Sequence, residues 1–222
     1  MQVEFCEFPD DLLYDFENNV WIRLENAKCV ALGITSVYAS LAGKLKQVKF
    51  KPVGSLLVKG QSTAIMESVK YFGTVKTPVS GTLIEINLRL LSYPKLANDF
   101  PYLQGWFAKI QPNALENELS KLNTAAKSQE TIKSQIRDLH IRCFKAYPDY
   151  EMWEIGVECA AVLVRLSELM KRCALGAVIH VTSDDPTADV EIVRWSDRTG
   201  QEILETRQEG NLVHFIVRKI KA

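Results

Sequence analysis

Two side chains in this chain sit where their type and surroundings permit group-transfer chemistry. The first is Lys70, in "IMESVKYFGTVKTPVSG" (65–81), a run that reads as strand, turn, strand with the lysine at its crest. An amine held out on a stiff, exposed bend can be reached by an enzyme that acylates it, and the attached arm can then reach other proteins. A helix-face lysine is less distinct, and a loop lysine less ordered. Glu67, Ser68 and Val69 lead into the crest; Pro78 stops a full ladder on the outgoing side, and Gly81 is expected to allow a sharp bend. A solvated turn lysine without a role is the competing reading, and the turn alone favours it. The second side chain is Cys159, directly before a helix expected to begin at Ala160. Backbone N–H groups and the dipole at a helix start favour a thiolate and lower its pKa. A thiolate can hold sulfur as a persulfide and pass it on by exchange. The competing reading is a small apolar residue filling a strand-to-helix corner, which position alone favours.

The other cysteines compete weakly. Cys29 falls in a strand, and Cys173 near a helix end where the dipole opposes a thiolate. Cys6 and Cys143 lie in mobile or connecting segments, where exposure would leave them open to crosslinking as an artefact. Five scattered cysteines without a CxxC pair support neither a disulfide framework nor a zinc knuckle, so reduced thiols in a cytoplasmic protein are the default. His140, His180 and His214 are far apart in sequence; the last two fall in strand-like runs, where a structural role outweighs metal ligation. No metal site is expected. Lys plus Arg equals Asp plus Glu, 27 each, so charge points to neither a nucleic-acid nor a membrane partner. No apolar run approaches the roughly 20 residues that span a bilayer, and the acidic "MQVEFCEFPDDLLYDF" argues against a signal peptide. No catalytic triad, phosphate loop or dinucleotide fingerprint occurs, which points to a carrier whose chemistry is done by partners.

The elements that must position these residues fall into two halves. From Val20 to Pro112 short strands are punctuated by Gly and Pro. "VWIRLENAKCVALGIT" reads as two strands with a turn near Glu25-Asn26, and "QVKFKP" and "SLLVKGQSTAIMES" continue the pattern. "GTLIEINL" alternates, with Ile84, Ile86 and Leu88 on one face. This half predicts a small β barrel or sandwich. After Asn113 the period becomes helical. Leu115, Leu119 and Leu122, then Ile132, Ile136 and Leu139 behind a capping Ser128, predict two polar-backed helices acting as a surface connector. From Tyr150 the order is strand, helix, strand, helix, strand, strand. Asp185 and Pro186 are expected to open the second helix, Gly200 to stop it, and "EGN" to turn the final hairpin. A sheet with two helices on one face is the economical packing. The expected ranges are 1–125 for the first domain, 126–148 for the connector and 149–222 for the second domain.

"ESVKYFGTVKTPVSG" resembles the lipoyl-attachment hairpin of glycine cleavage system H proteins. "VWIRLENAKCVALGITSVYASLAGKLKQVKF" is similar to that family's opening strands and first short helix, and "NDFPYLQGWFAKIQP" to its closing segment, so the likeness runs from about Asn18 to Leu122. Biotinyl domains share the fold but flank their lysine with methionines; here Val69 and Tyr71 flank Lys70. The resemblance implies a lipoyl/biotinyl hammerhead-type barrel-sandwich. It also implies lipoate in amide linkage to Lys70, set there by a lipoate ligase or transferase that reads Glu67, Ser68 and Val69. The family's His-Glu-Trp reads Asn19-Val20-Trp21 here. Tyr150 to Lys219 resembles the TusA-like sulfur-carrier family, an α/β two-layer sandwich, in its cysteine at the first helix start, in "VTSDDPTADVEIVRWSDRTGQEIL" and in the closing "FIVRK". That family's Cys-Pro-x-Pro reads Cys159-Ala160-Ala161-Val162, with the cysteine kept and both prolines absent. Together the resemblances imply a carrier that moves sulfur, or a lipoyl-bound group, between partners such as a heterodisulfide-reductase-like complex. The alternative is an H protein carrying aminomethyl groups from glycine decarboxylase, with the second domain as a docking module.

Overall fold

Gly and Pro cut the first half of the chain into short strands, and the computed structural model shows how each closes on its neighbours. It describes residues 1–113 and 115–221. Ala114, in the helical stretch expected after Asn113, and Ala222, the last residue of the expected second domain, lie outside the described residues. The chain divides into two units that meet in sequence at Cys143 and Phe144.

In the first unit β1 (Gln2–Val3), β2 (Cys6–Glu7), β3 (Leu13–Asp15), β4 (Val20–Asn26) and β5 (Cys29–Ile34) precede α1 (Ser36–Ala42). Then come β6 (Leu45–Phe50), β7 (Leu56–Leu57), β8 (Ser62–Ser68), β9 (Phe72–Lys76) and β10 (Gly81–Ile86). Two single-turn helices, α2 (Arg89–Ser92) and α3 (Leu96–Asp99), lead to β11 (Ala108–Pro112), α4 (Leu115–Leu119), a 3-10 turn (Ala125–Ser128) and α5 (Gln129–Asp138). Among the described residues, a sheet ordered β3-β4-β5-β11-β10-β7 faces a sheet ordered β6-β8-β9. Leu32, Ile34, Leu83 and Ile110 from the first and Val48, Met66 and Val75 from the second share one buried core. Burying each such aliphatic stabilises the fold by about 1.5–3 kcal/mol.

Several expectations are corrected here. The β4–β5 turn lies at Ala27-Lys28, two residues later than expected, with the Asn26 side chain accepting the Lys28 N–H. A bulge between Leu83 and Glu85 breaks the alternation of β10. Leu83 therefore faces the core, while Ile84 and Leu88 are exposed. Gly81 makes no sharp bend; it sits in β10, where a Cβ would lie 2.1 Å from the Gln111 carbonyl oxygen of β11. The stretch expected as a surface connector is packed into the first unit up to Cys143: Ile132 and Ile136 are buried with Val3, Phe8 and Tyr14. Ser128 precedes α5 without a capping side-chain bond. Cys6 and Cys143, expected to be reduced, are buried and form a disulfide.

The second unit runs β12 (Tyr150–Glu154), α6 (Cys159–Arg172), β13 (Val178–Ser183), α7 (Ala188–Thr199), β14 (Glu202–Glu209) and β15 (Leu212–Arg218). Its sheet is ordered β12-β13-β15-β14, with β12 and β13 parallel across the α6 connection and the other pairs antiparallel. Ile179, Val181, Val213, Phe215 and Val217 line one face of the sheet and pack with Val162, Leu166, Ile192 and Trp195 of the two helices. Gly200, at φ 67°, closes α7 in the left-handed region. The final hairpin turns at Gly210-Asn211. Helix α7 starts at Ala188 rather than at Pro186, with Thr187 at its N-cap position. Among the described residues no helix is long and apolar enough to cross a membrane.

Candidate functional site

The β8–β9 hairpin turns through Ser68, Val69, Lys70 and Tyr71. The Ser68 N–H donates to the Tyr71 carbonyl at 2.8 Å, and the Ser68 hydroxyl accepts the N–H groups of Lys70 and Tyr71 at 3.2 and 3.1 Å. The same hydroxyl donates to the Ala42 carbonyl at 2.6 Å, tying the tip to the end of α1. Tyr71 adds a second tie: its ring packs edge-on against Tyr38, whose hydroxyl donates to the Thr74 carbonyl. Gly73 makes room for this pair, since a Cβ there would lie 2.4 Å from the Tyr71 ring. The end of α1 is held in turn by Asn98, whose amide donates to the carbonyls of Ala39 and Gly43 and accepts from Leu45 N–H. The bend is therefore stiff because polar ties fix both its arms, not because the turn residues are rigid themselves.

Lys70 is exposed at this tip, and Val69 (81 % exposed) and Phe72 (68 %) flank it with apolar surface. Glu67 is exposed at the end of β8, opposite Phe72 and Gln47. The lysine stem passes over Gly43, where a Cβ would lie 2.7 Å from Cε. That bare backbone at φ 76° leaves a cradle for a lysine arm. The expected group of Glu67, Ser68, Val69 and Lys70 is thus assembled at one tip. The supporting Gly43, Tyr38 and Asn98 were not singled out from sequence; the Gly that ends the short helix in "LAGK" is the one local signal that pointed there.

Cys159 is the first residue of α6, and its thiol is almost enclosed, at 3 % exposure. Its N–H donates to Asp185 Oδ2 at 2.8 Å, while Asp185 Oδ1 accepts the N–H and hydroxyl of Thr187. Asp184 accepts the Gly156 N–H at 2.7 Å. So Asp185, expected to cap α7, also supplies an anion to the start of α6. The expected lowering of the thiol pKa is reversed: burial, then the charges of Asp185 and Glu191, push it up to about 11. Asp185 is held below the ordinary carboxylate range by its bonds from Thr187 and from the Cys159 N–H. Cys159 opens onto a groove of about 980 Å³ between α6 and α7, walled by Leu163, Val164 and Trp195, with Lys171 and Arg198 also lining it. Cys29 is likewise pushed up, by partial burial and by Glu25. Among the described residues no group of three or more His, Cys, Asp or Glu is arranged to hold a metal ion.

Comparison with known proteins follows the two units. Residues 12–135 match the family model described as Glycine cleavage H-protein, and residues 154–219 match the one described as Sulfurtransferase TusA. Glycine cleavage system H protein 2 of Aquifex aeolicus (strain VF5) is 36 % identical over 138 residues, which are 62 % of this chain and 86 % of that protein. Glycine cleavage system H protein 3 of the same organism is 37 % identical over 143 residues, covering 63 % and 89 %. A probable glycine cleavage system H protein 2 of Sulfurisphaera tokodaii is 35 % identical over 143 residues, covering 64 % and 96 %. A crystal structure of a glycine cleavage system H protein from Mycobacterium marinum superposes with a TM-score of 0.50 at 29 % identity, covering 56 % of this chain and 98 % of that one.

Proposed function

The chain belongs to the glycine cleavage H-protein family, and from that premise we propose that it is a lipoyl-carrying protein whose TusA-type domain makes it a sulfur shuttle between partner enzymes. H proteins of this family are carriers rather than enzymes. The observation that supports the reading best is Lys70, exposed at the tip of a hairpin braced through Ser68 and Tyr71. Lys70 is the attachment residue, and a lipoate ligase or transferase approaches it past Glu67, Ser68 and Val69. Amide formation removes the lysine charge. When bound, the lipoyl group supplies a dithiol–disulfide couple. The chain's own part is to hold the amine on a fixed tip, to leave the Gly43 cradle open, and to offer Val69 and Phe72 to a docking enzyme. The reading places this carrier and its partners in the cytoplasm, where burial shields the Cys6–Cys143 disulfide from exchange.

In the second domain Cys159 receives or hands on sulfur. Its thiolate attacks the outer sulfur of a donor persulfide, that S–S bond breaks, and the donor thiolate leaves. The high pKa and enclosure of the thiol make it a slow nucleophile at rest, so docking against α6 and α7 is the step that exposes it. The receiving redox partner is of the heterodisulfide-reductase-like class.

The names of the relatives favour a second reading, aminomethyl carriage from glycine decarboxylase. Against it, Asn19 and Val20 stand where that family has His and Glu. Val20 is fully buried, and Asn19, at φ 53°, accepts the Thr35 hydroxyl. Intact-mass analysis of the native protein tests the common premise: a lipoyl increment mapped to Lys70 is expected, and its absence in cells containing lipoate ligase sinks both readings. Sulfur retained on the arm or on Cys159 after persulfide treatment supports the relay. Efficient aminomethyl loading by purified glycine decarboxylase, with no retained sulfur, supports the second reading.

A further inference from the structure

The outer face of the β6-β8-β9 sheet, which carries Lys70 at one end, is predominantly positive. Between Gly43 and Thr77 lysines are the only cations and Glu67 is the only acid. Strand alternation sends Val48, Met66 and Val75 into the core and their neighbours outward. Across the three strands Lys49 stands opposite Ile65 and Ile65 opposite Thr74; nearer the tip Gln47 stands opposite Glu67 and Glu67 opposite Phe72. Lys76 ends β9 opposite Ser62, Lys51 follows β6, and Lys46 fills the bulge between Leu45 and Gln47, at the Ser68 end of the hairpin. Lys46, Lys49, Lys51 and Lys76 are exposed. Among the described residues none of these four makes an ion pair, whereas Lys95 and Lys109 of the same unit are paired with carboxylates.

The second unit carries the opposite sign around its thiol. Strands β12 and β13 are parallel and lead into α6 and α7, so both helices begin at one end of the sheet. Glu158, Asp185 and Glu191 line the groove there with Cys159; Asp184 adjoins Asp185, and Asp189 is exposed in the first turn of α7. Among the described residues Glu191 is the one of these five that makes an ion pair, with Arg194. Two helix N-termini offset about one unit of this charge. Lys171 and Arg198, the cations of the groove, lie in the last turns of the two helices; along α6 Lys171 is about 18 Å from Cys159.

Building on the proposed function, in which Lys70 and Cys159 are the two carrier stations, we propose that the lysine face beside the Lys70 tip docks the acidic rim around Cys159 of a second copy of this chain. Opposite charges on two exposed surfaces speed encounter and fix register more than they add affinity, which suits a contact that forms and parts at each visit. Amide formation at Lys70 removes one positive charge from the tip and leaves Lys46, Lys49, Lys51 and Lys76 in place. Val69 and Phe72 add exposed apolar surface at the tip, and Val164, exposed beside the groove on α6, is the matching apolar contact.

A second copy presents this rim whatever the link at Cys143 and Phe144 imposes within one chain. The first unit's own acidic stretch, Glu4 to Glu17, fits the lysine face less well: Asp10 pairs with the N-terminal amine, and Asp15 is bonded to Asn18. The Cys159 rim keeps four carboxylates without an ion pair beside a thiol that docking must open.

A mixture of isotope-labelled and unlabelled full chain, treated with a carbodiimide that joins an amine to a carboxylate at contact, tests this. Peptides that join one label to the other are expected to link Lys46, Lys49, Lys51 or Lys76 to Glu158, Asp184 or Asp189. Their yield should fall about tenfold between low salt and about 1 M salt, where the Debye length is about 3 Å. The double substitution Lys49→Glu, Lys76→Glu in one copy should cut linkage through the remaining lysines about tenfold, since exposed pairs are weak singly and act together. Glu158→Lys with Asp189→Lys in the other copy should then restore linkage between the same two surfaces. Linkage confined to one label, linkage of the lysine face to Glu4 through Glu17 instead of the rim, or a yield indifferent to salt and to charge reversal overturns the proposal. The carrier reading fails separately, on an intact mass without a lipoyl increment at Lys70, which the crosslinks do not register.

Discussion

The backbone amide of Cys159 donates a 2.8 Å hydrogen bond to the Asp185 carboxylate, so the helix N–H nearest the thiol already serves an anion. Charge at Asp185 and a thiolate at Cys159 oppose one another. Alkylation of Cys159 should rise with pH toward a midpoint of about 11. Asp185→Asn keeps an acceptor for the amide and removes the charge, and should speed alkylation at pH 8 several-fold, up to about tenfold for a one-unit fall in pKa. An unchanged midpoint would leave burial and the Glu191 charge as the causes. The pH sense of Asp185 itself is the usual one for a carboxyl held below its ordinary range. Its hold on the start of α6 is complete above about pH 4 and is lost as pH falls through the lowered value.

Ser68 is the joint between the attachment tip and α1. Ser68→Ala removes the bond to the Ala42 carbonyl and the acceptor for two tip N–H groups. A loss of about 1–3 kcal/mol is expected, with faster amide exchange at Lys70 and Tyr71 and a lower rate of lipoate attachment at Lys70. A tip that keeps its native exchange rate in this variant would mean the Tyr71–Tyr38 tie is sufficient alone.

The Cys6–Cys143 disulfide closes a loop across 137 residues of sequence, almost the whole first unit. Removing it by the double substitution Cys6→Ser, Cys143→Ser should cost the first unit roughly 2–5 kcal/mol. Denaturant unfolding followed separately at Trp21 and Trp195, one in each unit, should show the first transition moving and the second staying in place. Coincident movement of both would contradict a local role.

Gly81 and Gly54 are glycines for different reasons. A Cβ at Gly81 would meet the Gln111 backbone at 2.1 Å, whereas at Gly54 nothing lies within 4 Å and the constraint is φ 91°. Gly81→Ala should therefore part β10 from β11 and cost about 3 kcal/mol or more. Gly54→Ala should cost about 1–2 kcal/mol of backbone strain and leave β10–β11 amide protection unchanged. Similar losses and similar exchange patterns for the two would refute the distinction.

Much of the candidate site was legible in the residues. The crest at Lys70 followed from strand runs on both sides of a turn, and the second unit followed from helical and strand periods separated by Gly176, Gly200 and Gly210. Such patterns are local, and their elements pack as the patterns imply. The β4–β5 turn was missed for a local reason, the Asn26 side chain accepting the Lys28 N–H, but other misplaced features turned on a partner distant in sequence. Ile84 alternates correctly until the bulge opposite β11 shifts the register. Asp185 has the sequence of a cap for its own helix, and its bond to α6, 26 residues away, is invisible until β12 and β13 lie side by side.

Taken alone, the order of residues determined which stretches become strand or helix, that an exposed lysine crowns one bend, and that a cysteine begins a helix. Those properties depend on neighbours a few positions apart. Tertiary structure decided the charge state of that cysteine, the oxidation of Cys6 with Cys143, and the packing of Ile132 and Ile136 into the first unit. Each depends on burial and on which remote chain segment arrives beside it, and desolvation and Coulomb energies are set by those arrivals.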